Sequence, residues 1–173
     1  MLSKILFFAL VTFGTAGVFS QSTNPPCSGD ENNQFDFWVG NWDLEWKSQQ
    51  GAEQKGTNTI SKILGGCVVR EEFDGGKDLP LKGQSYSMFD PATGRWKQTW
   101  VDNQGSYLDF VGGREGDKMV LSRSFKDRSG NEISQRMVFL NIEKDSLDWI
   151  WERSSDGGKS WTEVWKIRYV RAK

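Results

Sequence analysis

The sequence predicts an all-β fold, a single up-and-down antiparallel β-barrel of about ten strands. Three observations carry this. Segments rich in Trp, Phe, Val, Ile and Thr alternate apolar and polar positions with a period of two. Gly-containing turns separate those segments at short, fairly even intervals. One stretch alone, Glu31 to Phe37, reads as a short helix. Consecutive strands joined by hairpin turns make a meander, and a meander loses its exposed edges by closing on itself.

Strands are expected near residues 38–47, 54–64, 67–73, 83–89, 95–102, 106–112, 118–126, 132–142, 146–153 and 161–171. The turns between them have a mechanism. Asp90-Pro91-Ala92-Thr93-Gly94 supplies a proline with preset φ and a glycine for positive φ. Asp102-Asn103-Gln104-Gly105 and Arg128-Ser129-Gly130-Asn131 close two further hairpins, and Asp74-Gly75-Gly76 opens a longer loop ending near Pro80. Alternation assigns faces. Trp96, Gln98 and Trp100 share one side of their strand, as do Leu147, Trp149 and Trp151, and Trp161, Glu163 and Trp165. In 132–142 both faces are partly apolar, so the side on which Arg136 lies stays open.

Residues 1–20 read as a secretory signal peptide, followed by one domain over 21–173. Lys4 is the basic start, Ile5 to Val11 the apolar run, and Val18 and Ser20 the small residues before cleavage. The run is short, broken by Gly14 and Gly17, and lacks a basic stop-transfer flank, so no stable membrane insertion is expected after cleavage. An exported, periplasmic or extracellular protein follows. Losing Lys4 takes the basic count from 22 to 21 against 23 acidic groups, a net charge of −2. That balance offers nucleic acid no basic stripe and an anionic membrane no attraction. An oxidising compartment is expected to pair the two cysteines, Cys27 with Cys67, and so tie the N-terminal arm to the third strand. The chain has no His, which removes Ser-His-Asp and Cys-His catalysis, His metal sites and His-ligated haem. No metal and no cofactor is expected.

Phe35-Asp36-Phe37-Trp38-Val39-Gly40-Asn41-Trp42-Asp43 is the most specific stretch. Its Gly40-x-Trp42 resembles the opening of lipocalins and other calycin barrels. With Ile63–Phe73 (ILGGCVVREEF), Gly83–Gly105 (GQSYSMFDPATGRWKQTWVDNQG) and Ser154–Trp165 (SSDGGKSWTEVW), it is similar to a bacterial family of exported lipocalin-like domains of unknown function. The likeness runs from about Cys27 to Tyr169. It implies a calycin-type barrel, a paired Cys27 and Cys67, a Gly40 that permits tight entry, and a Trp42 that stoppers the closed end beneath an Arg of the last strand, Arg168 or Arg171. Nitrobindins are similar in shape but hold haem through a His, so that role is not carried over. Ser154-x-Asp156-x-Gly158-Lys159-Ser160-Trp161 also resembles the Asp-box hairpin of β-propellers, in which Asp156 would bond the turn amides and Trp161 pack beneath. A single copy builds no propeller.

Nine Trp invite a ligand cavity, because bulky aromatics fill or line a barrel of this width. The candidate cavity residues are Arg70, Glu72, Tyr86, Gln98, Trp100, Tyr107, Arg136, Trp151 and Glu163. Alternation places Arg70 and Glu72 on one face and Glu71 on the other; an inward pair would be functional, an outward pair a weak surface contact. The first reading is binding or transport of a small, mostly apolar molecule. An isomerase or cyclase would use Glu72, Glu163 or Tyr86 as acid or base. A carbohydrate- or protein-binding module would expose Trp96 and Trp161 as stacking platforms. Thiol titration of the unreduced, denatured protein should detect no free thiol; two would refute the Cys27–Cys67 bridge.

Overall fold

Ten strands follow one another in the computed structural model, which describes residues 25–173. They are β1 (Gly40–Lys47), β2 (Glu53–Ile63), β3 (Val68–Asp74), β4 (Lys82–Asp90), β5 (Arg95–Asp102), β6 (Tyr107–Glu115), β7 (Lys118–Lys126), β8 (Glu132–Leu140), β9 (Ser146–Ser154) and β10 (Thr162–Arg171). Each pairs antiparallel with its sequence neighbours, and β1 pairs with β10 from Trp42↔Arg171 to Glu45↔Arg168, closing the barrel. The segment read as a signal peptide lies outside the described residues. Among the described residues, no helix is long and apolar enough to cross a membrane.

The expected strands all form, with small differences at their ends. β1 starts at Gly40 rather than residue 38, because Asp36–Trp38 is a 3₁₀ turn. The short helix expected over Glu31 to Phe37 is two such turns, Asp30–Asn33 and Asp36–Trp38. β8 stops at Leu140, where Asn141 takes a φ of 50° and turns the chain. In β10 the register shifts between Glu163 and Trp165, so Val164 is an extra residue without a partner on β9.

Odd and even positions now have assigned sides. Val69, Glu71 and Phe73 of β3 are buried, as are Ser85 and Ser87 of β4 and Trp96 and Gln98 of β5. The cross-strand register puts each of these sets beside the next: Glu71 faces Ser85, Ser85 faces Trp100, and Gln98 faces Phe110.

The N-terminal arm seals one end. Phe35 and Trp38 sit against Phe139 at 5.6 and 5.0 Å between ring centroids, and Phe35 meets Trp96 edge-on at 4.8 Å. Cys27 and Cys67 are joined, which anchors the start of the arm to the residue preceding β3. Trp42 is buried and donates its indole N–H to the Trp38 carbonyl at 2.7 Å. The cation above its ring is Arg171, 4.1 Å from the centroid. The expectation of Arg168 in this role is corrected, since Arg168 bonds Asp148 at 3.1 Å instead. Tyr169 and Arg171 alternate toward the Trp42 side while Arg168 takes the other.

The β9–β10 hairpin carries its own polar frame. Asp156 accepts bonds from the Ser154 and Ser160 hydroxyls, both 2.6 Å, and from the backbone N–H groups of Lys159 and Ser160. These bonds hold its carboxyl far below the usual carboxylate range. Trp161 lies under Arg136, 4.1 Å from centroid to guanidinium.

Gly40 has a φ of 137°, and a side chain there would meet the Arg171 guanidinium at 2.2 Å. Gly40→Ala should therefore cost ~1–3 kcal/mol in denaturant unfolding. An unchanged midpoint would show that neither the backbone nor the Arg171 stack constrains this position.

Candidate functional site

Closing ten strands leaves an interior that side chains do not fill. A cavity of about 240 Å³ remains, with room for roughly eight water-sized groups. Five of the nine Trp line it: Trp38, Trp100, Trp149, Trp151 and Trp165. Phe73, Phe110, Phe139, Met137 and Ile167 complete the apolar wall. Edge-to-face contacts lock the aromatics, including Trp149–Trp165 at 5.7 Å and Phe110–Trp151 at 5.6 Å. Leu81, at the end of the β3–β4 loop, Leu108, near the start of β6, and Val164, at the β10 irregularity, also contribute. All three belong to strand ends opposite the arm, and Val164 is 59% exposed, so the cavity opens there.

The polar groups of the wall are few and organised. Glu71 is buried; its Oε1 accepts from Asn58 Nδ2 at 2.7 Å and its Oε2 from Ser85 Oγ at 2.6 Å. The same Asn58 amide donates to the Tyr169 hydroxyl at 3.1 Å. Gln98 Nε2 donates to Ser85 Oγ at 3.2 Å and Ser87 Oγ at 2.9 Å. Burial pushes the Glu71 carboxyl above its ordinary value of 4.5, and the bonds from Ser85 and Asn58 offset only part of that. Burial, reinforced by the charge of Glu71, raises the Tyr169 phenol well above its ordinary value. The Trp38 indole N–H lies toward the Tyr169 hydroxyl without a hydrogen bond of proper geometry, and it has no partner among the described residues.

Three of the nine cavity candidates from the sequence lie here: Gln98, Trp100 and Trp151. The placement of the other six is corrected. Arg70 and Glu72 face outward and pair with each other at 2.8 Å. Tyr86 bonds Gln84 on the outside, because the inward positions of β4 are Ser85 and Ser87. Tyr107 is 69% exposed, one residue out of phase with inward Leu108. Arg136 pairs with Glu152 on the outer face, since Met137 and Phe139 take the inner one. Glu163 is exposed because the extra residue Val164 separates its phase from that of inward Trp165. The acid–base candidates Glu72, Glu163 and Tyr86 thus all lie outside the cavity.

Sequence reasoning passed over Glu71, Asn58, Ser85, Tyr169 and Trp38. A signal for Glu71 was present: it alternates with Val69 and Phe73, the pattern of a core face. Gly83 has a comparable logic, because a side chain there would meet the Trp100 ring at 2.2 Å.

The raised Glu71 carboxyl has a signed consequence for stability. Its folded value exceeds its unfolded one, so the folded state holds this proton more tightly. The resulting stabilisation is complete below the unfolded value and is lost as pH rises through the folded value. Glu71→Gln removes the ionisation. Its stability relative to wild type should therefore climb from about pH 4 toward neutral in urea unfolding. Parallel pH profiles for the two proteins would reject a desolvated Glu71.

No curated protein matches the chain. A family model described as "Protein of unknown function (DUF1579)" matches residues 28–171, from the arm to the end of β10, and the chain belongs to that family.

Proposed function

We propose that this protein binds a small, mostly apolar molecule inside the barrel, as an exported carrier in the periplasm or outside the cell. The observation that carries the reading is the aromatic-walled cavity of about 240 Å³ with an opening at one end. Apolar cavities with a few placed polar groups are the usual form of small-molecule sites. This one is slightly below the range of drug-sized sites, which favours a compact ligand. Burying about 200 Å² of ligand apolar surface is worth ~5 kcal/mol before the cost of immobilisation. The lipocalin-like resemblance of the sequence supports the same reading. The Cys27–Cys67 bridge supports export.

The alternative of a surface stacking module loses its platforms, since Trp96 is 1% exposed and Trp161 is half-buried under Arg136.

Naphthalene is a suitable first probe, being compact, apolar and free of hydrogen-bonding groups. Saturable binding at one site per chain should shift the intrinsic Trp fluorescence. Trp100→Ala, which removes a wall, should weaken binding. Val164→Trp, at an exposed position of the opening, should slow or block entry without unfolding the protein. Absence of any binding to the folded wild type would sink the reading.

A further inference from the structure

The inference that follows rests on the cavity being a binding site, and it concerns the chemical class of the ligand. The cavity wall has one polar corner. Trp38 is 1% exposed, yet its indole N–H has no acceptor among the described residues. A buried donor left in this way costs free energy unless something in the cavity accepts from it. Tyr169, beside it, is 2% exposed, and its hydroxyl oxygen already receives the Asn58 amide proton at 3.1 Å. The phenolic O–H therefore remains to be given. Both side chains line the cavity, so two donors converge at one corner.

The charges around that corner narrow the class further. Among the described residues, the cavity wall contains no Lys or Arg. Its one carboxyl group is Glu71, spanned by donors from Asn58 and Ser85. A ligand carboxylate here would be desolvated with no cation to pair with, and close to a second carboxyl group. An ammonium could pair with Glu71, but it carries donors only and would leave the Trp38 N–H and the Tyr169 proton without an acceptor. A neutral oxygen acceptor meets neither objection.

We propose that the ligand is a neutral molecule with an apolar body and one oxygen acceptor, a carbonyl or hydroxyl, that receives hydrogen bonds from Trp38 Nε1 and the Tyr169 hydroxyl. The body then extends along the aromatic wall toward Leu108 and Val164.

A matched octyl series tests this on the wild-type protein: 2-octanone, 1-octanol, octanoate and octylamine, at neutral pH, with naphthalene as the probe of the cavity alone. 2-Octanone and 1-octanol should bind about tenfold or more tighter than octanoate and octylamine, the scale of one unmade buried hydrogen bond or more. Octanoate or octylamine binding as tightly as the ketone would overturn the head-group assignment while naphthalene binding still upholds the cavity. Failure of naphthalene and the whole series would overturn both. Tyr169→Phe and, as a second variant, Trp38→Phe should lower the ratio of 2-octanone to naphthalene affinity about tenfold. If neither variant changes that ratio, the two donors do not hold the ligand. If neither variant folds, the wild-type ranking alone decides.

Discussion

Everything distinctive about this molecule depends on the pairing of β1 with β10. Without that ladder the ten strands would form an open sheet with two bare edges and one face in water. With it, every inward side chain faces other side chains across a closed interior. Closure is therefore what desolvates Glu71, what turns Trp149 and Trp151 from surface aromatics into a wall, and what leaves space that the strands cannot fill. The rows of backbone groups are satisfied at the same time, so the interior can remain largely apolar without orphaned main chain.

The arm before β1 makes the closed sheet into a vessel with one opening. Its two 3₁₀ turns are too short to hold themselves in place. Three independent attachments do so: the Cys27–Cys67 bridge, the packing of Phe35 and Trp38 against Phe139, and Arg171. Arg171 donates to the Val39 carbonyl at 3.0 Å while lying over Trp42, joining the end of β10 to the arm and the start of β1. Trp38 consequently belongs to two structures at once. Its side chain packs with the stopper and also lines the cavity.

The polar groups inside are a small, connected set rather than scattered exceptions. Asn58 links Glu71 to Tyr169, and Ser85 links Glu71 to Gln98 and, through it, to Ser87. Burying such a set costs free energy unless its members satisfy one another, and most do. Of the groups left unmatched, Asn58 Oδ1 lies within the network behind the wall, whereas Trp38 Nε1 and the Tyr169 proton belong to side chains that line the hollow. Under the proposed binding function, that separation would orient a ligand as well as hold it.

The amino-acid order alone determined the class of fold, the number and approximate limits of the strands, the turns, and the partner of each cysteine. These are local or nearly local properties: a period of two, Gly and Pro at positions that require particular φ, and one possible thiol pairing. Which of two faces looks inward was beyond it wherever both carried apolar residues, as around Arg136, or wherever phase was broken, as Val164 breaks it between Glu163 and Trp165. Glu71 and Glu72 are chemically alike neighbours, and only the closure of the sheet made one a buried hydrogen-bond acceptor and the other half of a surface ion pair. Asn58, Ser85 and Tyr169 are far apart in the chain and meet through strand register. Tertiary structure decided the site because desolvation and convergence are properties of enclosed space, which a linear pattern does not contain.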